Sequence, residues 1–125
     1  MCLSSSAFAG DQENIQGTWK VVAISLDGKP LPDADVLYVF AGDALIVRPA
    51  VGNERHLTFT LDLASKPKFL VNQVVQSAPG IKPERVPYEL SGDTLKLMPT
   101  SPNEQVTEVS DKGHVLITLK RVSVP

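Results

Sequence analysis

Residues 56–63 alternate polar and apolar side chains without a break. The segment reads His-Leu-Thr-Phe-Thr-Leu-Asp-Leu, and successive side chains of a β-strand point to opposite faces of a sheet. This alternation predicts a strand with one buried face and one face in water. The side chains expected to face the interior are Leu57, Phe59, Leu61 and Leu63.

Short strands are also predicted along the rest of the chain. No window has apolar residues at helical spacing over a dozen positions while avoiding Pro, Gly and β-branched runs. Strands are expected at residues 17–26, 36–41, 44–48, 56–63, 69–76, 85–90, 94–98, 105–109 and 114–122. Pro30 and Pro32 predict a loop over residues 27–35, because proline cannot donate to a strand ladder.

Tight turns separate several of these strands. Gly42-Asp43 and Gly92-Asp93 each follow a large apolar and a small residue and precede a small residue and a leucine, which is the pattern of a hairpin between half-buried strands. Residues 110–113 predict a third hairpin, with Gly113 at a left-handed position. Consecutive hairpins form an up-and-down antiparallel meander, and such a sheet removes its edges by closing into a barrel. The expected fold is therefore an all-β barrel of eight or nine strands.

Composition limits the class of protein. The chain has 125 residues, of which 42% are hydrophobic and 21% charged, as expected for one globular domain. Twelve Lys and Arg face fourteen Asp and Glu and are scattered, so we expect no nucleic-acid binding. No apolar run approaches a membrane span. The lone Cys2 excludes a disulfide framework and a cysteine-based metal site.

The N-terminus resembles the end of a secretory signal. Ala7-Phe8-Ala9 is an A-x-A cleavage pattern that polar residues follow, although a positive region and most of an apolar stretch are missing. We predict a residual signal or a disordered tail at residues 1–12 and the barrel domain at residues 13–125. A signal implies a secreted or periplasmic protein, whereas a mere tail implies a cytoplasmic one. With only Met1 before it, Cys2 shows no inspectable lipidation motif.

An ordered string of sequence blocks resembles a known family. The blocks begin at Gly17-Thr18-Trp19-Lys20, Asp27-Gly28-Lys29-Pro30, Phe59-x-Leu61-Asp62, Tyr88-Glu89-Leu90 and Leu119-Lys120-Arg121. Together they resemble a family of uncharacterised lipocalin-like domains abundant in planctomycete bacteria, over about residues 13–122. The resemblance implies a lipocalin-like barrel, often secreted, with no assigned activity. The chain departs from the family pattern after Leu97, where it has Met98 and then Ser101-Pro102-Asn103.

The wider lipocalin group pairs a Gly-x-Trp on the first strand with an Arg at the end of the last. Gly17, Trp19 and Arg121 match that placement. The resemblance implies that the tryptophan closes one end of the barrel while the guanidinium covers its ring, a contact worth about 0.5–2 kcal/mol. We assign these three residues a structural role.

The sequence shows no catalytic or metal-binding motif. His56 and His114 are the only histidines, and neither belongs to a zinc-ligand pattern. Asp33 and Asp35 lack the Gly and bidentate Glu of a calcium loop, and no nucleophile elbow or phosphate loop is present. We therefore predict a protein that is not an enzyme and has no cofactor.

The interior of the barrel is the remaining candidate site, since an eight-stranded barrel is either filled by side chains or holds one small ligand. The favoured hypothesis is a binding module for a small apolar or amphipathic molecule. The alternative is a structural or protein-interaction domain with a solid barrel, whose loops at 27–35 and 77–87 make the contacts. The candidate lumen residues are Phe59, Leu61, Tyr88, Leu95, Leu97 and Ile117.

Overall fold

A computed structural model describes residues 10–32, 35–74, 84–100 and 106–122. Within these ranges, residues 10–14 form a short helical turn and the chain forms nine strands. Their bounds are β1 Gly17–Leu26, β2 Lys29–Leu31, β3 Val36–Ala41, β4 Ala44–Pro49, β5 Arg55–Asp62, β6 Lys68–Val74, β7 Glu84–Ser91, β8 Thr94–Leu97 and β9 Val115–Arg121. No helix of the described chain is long and apolar enough to cross a membrane.

The strands form a closed antiparallel barrel. From β3 to β9, each strand pairs with its neighbours in chain order. Strand β1 pairs with both β3 and β9. The contact between β1 and β9 runs from Trp19↔Arg121 to Leu26↔Val115 and closes the sheet. Eight strands therefore form the barrel and β2 is an additional strand on β1, which confirms the predicted all-β, up-and-down architecture.

A β-bulge lies in the middle of β1. The register with β9 shifts between Val21 and Ala23, and Val22 is 41% exposed. Such an extra residue bends a strand and reverses which side chains face inward. Trp19 and Val21 are accordingly buried before the bulge, and Ile24 packs against the core after it.

Strand β2 corrects the expectation of a loop over residues 27–35. Its three residues pair with β1 at Leu26↔Lys29, Ser25↔Pro30 and Ile24↔Leu31. Pro30 is tolerated because β2 lies at an edge, where no neighbouring strand requires its missing N–H. Asp27 and Gly28 both have positive φ, at 53° and 77°, as the tight turn of a two-residue hairpin requires.

The first two predicted hairpins are present and the third is not. Ala41↔Ala44 and Ser91↔Thr94 flank the turns at residues 42–43 and 92–93. The expected strand at residues 105–109 is wrong over its described part, residues 106–109, which form no strand. Gly113 does have the expected positive φ, 72°. Its N–H donates to Asp27 Oδ1 over 2.8 Å, so this segment is held to the β1–β2 turn instead.

The expected burial along β5 is correct at one end of the strand and wrong at the other. Leu57 and Phe59 are 6% and 2% exposed and Leu61 packs against the core, as predicted. Leu63 is 51% exposed, because β5 ends at Asp62 and the alternation ends with it. On β6, residues 75 and 76 of the predicted strand lie outside the described residues.

One end of the barrel, where β1 begins and β9 ends, is closed. Ile15 and Trp19 are fully buried there, at 0% exposure, and the indole Nε1–H of Trp19 donates to the Ile15 carbonyl over 2.8 Å. Gln16 adds hydrogen bonds to Gly42 in the β3–β4 turn, through its Nε2 at 3.0 Å and its Oε1 at 2.7 Å. The helical turn and the residues that follow it therefore seal this end.

Residues 10–12, expected to belong to a tail, are part of this closed end. The carboxylate of Asp11 accepts from the Tyr88 hydroxyl over 2.7 Å and forms an ion pair with Lys68 Nζ over 2.6 Å. A short helical turn has too few residues for a periodic apolar pattern, so this turn could not be predicted from the sequence. Residues 1–9 lie outside the described residues.

Candidate functional site

A pocket of about 90 Å³ opens at the end of the barrel opposite Trp19. The strand register explains how the pocket forms. Tyr38, Val47 and Arg55 lie side by side across β3, β4 and β5, and Asn72 pairs with Glu84 across β6 and β7. These five positions are close to the strand ends at this mouth, so their inward-facing side chains surround the opening.

The floor of the pocket is aliphatic. Each of its side chains projects inward from a different barrel strand, and most are less than 10% exposed. The floor consists of Leu45, Leu57, Leu70, Val86, Leu97 and Ile117. Such a surface favours an apolar group, because burying it removes hydrocarbon from water on both partners.

The rim carries polar groups of both charges. Tyr38, Arg55, Asn72 and Glu84 line the pocket, with Arg55 and Glu84 exposed and the other two half-buried. Burial raises the pKa of Tyr38, an effect that the charge of Arg55 opposes and that of Glu84 reinforces. The phenol is therefore a neutral hydroxyl near pH 7, able both to donate and to accept a hydrogen bond.

Arg55 and Glu84 do not neutralise each other. Among the residues that the structure describes, neither side chain has an oppositely charged partner within ion-pair distance. Exposed charges without a protein partner are hydrated by water. A ligand at the mouth can therefore reach both charges without breaking an existing ion pair.

Two of the six predicted lumen residues line this pocket. Leu97 and Ile117 form part of its floor. The other four, Phe59, Leu61, Tyr88 and Leu95, do not line it, because the half of the barrel nearer Trp19 is filled by side chains. Phe59 packs edge-on against Phe40, with ring centroids 5.0 Å apart, and Leu95 is fully buried. The pocket therefore lies nearer the mouth than most of the predicted lumen residues.

Tyr88 has a different environment from the one expected. It is 1% exposed and its hydroxyl faces Asp11 at the closed end. Burial raises the pKa of Tyr88, and so do the hydrogen bond from its hydroxyl to Asp11 and the carboxylate's charge. The hydroxyl of Tyr88 therefore has its partner within the fold, and Tyr38 is the tyrosine that lines the mouth pocket.

The sequence reasoning missed the polar rim, although strand parity contains a signal for it. Tyr38 has the same parity as buried Phe40, and Arg55 has the same parity as Leu57 and Phe59. Glu84 likewise shares parity with Val86. Arg55 and Glu84 were missed because the predicted strands began one residue too late, at His56 and Arg85, and because charged residues near strand ends are normally assigned to solvent.

The three structural residues are arranged as the resemblance implied. The guanidinium carbon of Arg121 lies 4.3 Å from the centre of the Trp19 ring. Its Nη1 donates to the Gln16 carbonyl over 2.7 Å and its Nε to Asp93 over 2.9 Å. Gly17 has φ of 117°, and a Cβ there would lie 3.3 Å from Arg121 Nη1. Glycine at position 17 therefore leaves room for the arginine.

A broader depression of about 420 Å³ lies beside the loop between β5 and β6. It is formed by the β5–β6 loop on one side and residues 107–109 on the other, with Lys66, Lys68, Glu89 and Glu108 among its lining side chains. Its charges already have partners at two positions, since Lys68 pairs with Asp11 and Lys96 lies 4.0 Å from Glu89. Most of its lining residues belong to the β5–β6 loop and to residues 107–109, whereas the mouth pocket is built from inward-facing strand positions.

No group of three or more His, Cys, Asp or Glu side chains converges in the described part of the chain. His56 Nε2 lies 3.5 Å from Glu54 Oε1 on the surface, and His114 Nδ1 lies 3.1 Å from the Lys112 carbonyl. Neither contact belongs to a convergent group of metal-ligating side chains in the described part of the chain.

The chain was compared with protein families, curated proteins and solved structures. No protein-family model, no curated protein and no solved structure matches the chain. What can be said of the site therefore depends on the geometry of the barrel itself, a closed eight-stranded antiparallel barrel consistent with a lipocalin-like fold.

Proposed function

We propose that this domain is a non-catalytic binding module that takes the apolar end of a small amphipathic molecule into the mouth of its barrel. The observation that carries the proposal is the aliphatic floor beneath a polar rim in one pocket. Small-molecule sites combine these features, since the apolar wall supplies affinity and a few polar groups fix orientation.

The size of the pocket limits the ligand. A volume of about 90 Å³ corresponds to roughly three water molecules at about 30 Å³ each, or a chain of three to four carbon atoms. Burying such a chain contributes about 3 kcal/mol at ~0.8 kcal/mol per methylene. Because association costs at least about 4 kcal/mol, contacts with the rim must supply the remainder. We therefore expect weak binding, with a Kd of ~1 mM or higher.

The proposal includes secretion. Cleavage after Ala9 would leave Gly10 as the first residue, and the helical turn begins at Gly10. The mature chain would retain Asp11 and its contacts with Lys68 and Tyr88. A cleavage site two or three residues later would remove them, so the A-x-A pattern is compatible with an intact closed end.

We also propose that the chain is related to the lipocalin-like domains. The closed barrel with Trp19 under Arg121 supports the resemblance to lipocalin-like domains. Membership of the bacterial family remains part of the proposal.

A structural or protein-interaction role is the second candidate function, and the filled half of the barrel favours it. Phe40, Phe59 and Leu95 are buried in the half of the barrel nearer Trp19, where the two phenylalanine rings pack edge-on. On this alternative the outer surface would make the contacts, and residues 77–83 of the predicted contact loop at 77–87 lie outside the described residues.

Ligand-observed NMR with isoamyl alcohol distinguishes the two candidates. We expect saturation transfer from the wild-type protein to the methyl groups of the alcohol, with a saturable signal. Val47→Phe should abolish the transfer, because the larger ring occupies the pocket beside Tyr38 and Arg55. The matched control is Val22→Phe, on the outer face of β1, which should leave the transfer unchanged. Equal transfer from both variants, or none from the wild type, would favour the solid-barrel alternative.

A further inference from the structure

The mouth pocket combines four chemical features that together specify a ligand more narrowly than amphipathic character does. It has a short aliphatic floor, a cation, an anion and a neutral hydroxyl, supplied by different strands. Arg55 begins β5 and Glu84 begins β7, so β6 separates them in the sheet. Both side chains nevertheless line one small cavity.

A molecule with a single charge is a poor match for this rim. A carboxylate ligand beside Arg55 would place Glu84, a like charge, near the same cavity, and an amine beside Glu84 would face Arg55 in the same way. Like charges in one site repel each other and reduce affinity. A ligand with both charges a few ångströms apart satisfies both side chains at once, provided that its apolar part is short.

We propose that the ligand is a small zwitterion with a short aliphatic side chain, as in an aliphatic α-amino acid, bound with its carboxylate towards Arg55 and its ammonium group towards Glu84. This inference rests on the proposed function and names the ligand class of the same pocket. The aliphatic side chain enters the floor between Leu57, Val86 and Ile117. Asn72 and the hydroxyl of Tyr38 are the neutral partners available to the remaining donors and acceptors.

The expected contribution of each charge is moderate. Arg55 and Glu84 are exposed, and ion pairs at exposed positions change an equilibrium by up to about fivefold. Because the contacts lie at a water-filled rim, added salt should weaken them. Contacts between the aliphatic chain and the floor are not ionic and should show little dependence on moderate salt.

A ligand series on the intact chain tests the inference. The four probes are leucine, isocaproate without the ammonium group, isoamylamine without the carboxylate, and isoamyl alcohol without either charge. Their side chains are similar, so differences in Kd measured by NMR titration report the charged groups. We expect leucine to bind about fivefold more tightly than either singly charged probe.

Variants then assign each charge to a residue. Arg55→Gln should weaken the binding of leucine about fivefold. It should not weaken the binding of isoamylamine, which has no carboxylate. Glu84→Gln should weaken leucine similarly and leave isocaproate binding no weaker. As a control, Arg48→Gln removes a nearby exposed charge that is paired with Glu54 and should change none of the affinities. Both pocket side chains are exposed, so these variants should fold as the wild type does.

The outcomes separate this inference from the proposed function. If leucine binds no more tightly than isoamyl alcohol, and Val47→Phe abolishes binding of both, the pocket is a binding site but the zwitterion proposal is wrong. If no probe binds the wild type, both proposals are wrong. A preference for leucine that Arg55→Gln and Glu84→Gln leave intact also contradicts the inference, because the charges would then lie elsewhere.

Discussion

Trp19 shows how several independent contacts hold one side chain. It is fully buried, donates a hydrogen bond to the Ile15 carbonyl and lies beneath the guanidinium of Arg121. Arg121 is itself held by the carbonyl groups of Asn14 and Gln16 and by the side chain of Asp93. The indole therefore joins the segment before β1 to the last strand.

Trp19→Ala should lower the free energy of unfolding by about 3–5 kcal/mol, as expected for loss of a large buried aromatic side chain. Urea unfolding followed by far-ultraviolet circular dichroism measures this change without the tryptophan signal. Val51→Ala is the control, because Val51 is 89% exposed, and it should change stability by less than about 0.5 kcal/mol. A near-neutral Trp19→Ala would show that the indole does not seal the barrel.

The two tyrosines of the chain should resist ionisation in the folded protein. Burial is the largest cause that raises the pKa of both Tyr38 and Tyr88. Tyrosinate absorbance of the native protein should therefore stay low at about pH 10, where half of the tyrosine in a urea-unfolded sample is ionised. A native sample that is half-ionised at about pH 10 would contradict the described environments.

The sign of the accompanying effect on stability follows from linkage. Raised folded-state pKa values mean that the unfolded chain loses these protons first. The two phenols therefore make their full contribution to the free energy of unfolding below about pH 10, and this contribution decreases as the pH rises above that value. Tyr88→Phe should reduce this loss of stability in alkali.

At the scale of elements, strand positions could be predicted well because alternation is a local property. The strand predicted at residues 17–26 matches β1 in both bounds, and the turns at Gly42 and Gly92 are present. Features that depend on distant partners could not be predicted. Strand β2 needs the edge of β1, and the segment after β8 is held by contacts with the Asp27–Gly28 turn.

The helical turn at residues 10–14 is the clearest case of an element that depends on distant partners. Its Asp11 carboxylate contacts Lys68 and Tyr88, which are 57 and 77 residues away in the chain. No local pattern encodes such a contact, and for this reason the expected domain boundary at residue 13 excluded Asp11. The candidate site shows the same limit, since the apolar positions Leu97 and Ile117 were found but the rim charges were not.

Asp11→Asn should destabilise the protein by about 1–3 kcal/mol, because it removes the negative charge from the ion pair with Lys68 and weakens the acceptor of the buried Tyr88 hydroxyl. Thermal unfolding measures the change. The control is Glu13→Gln in the same helical turn, where the side chain is exposed and no loss beyond about 0.5 kcal/mol is expected. Equal melting temperatures for the two variants would mean that the turn does not contribute to the fold through Asp11.

At the scale of the whole molecule, the two ends of the barrel differ. One end is sealed by Ile15, Trp19 and Arg121. The other has an aliphatic pocket and a polar rim. Closure through β1 and β9 gives the eight barrel strands paired neighbours around the circumference, and a closed sheet provides a rigid frame for side chains at its mouth. This asymmetry is the structural basis on which we propose binding at one end.

Amide nitrogen–proton correlation NMR during a titration with isoamyl alcohol tests the central claim most directly. The account predicts saturable shifts concentrated at the mouth, at residues such as Val47, Leu97 and Ile117, with little change around Trp19. Their dependence on concentration should fit a single weak site, with a Kd of ~1 mM or higher. An absence of saturable shifts, or shifts centred on the broader depression at Lys66 and Glu108, would contradict the proposal that the barrel mouth is the binding site.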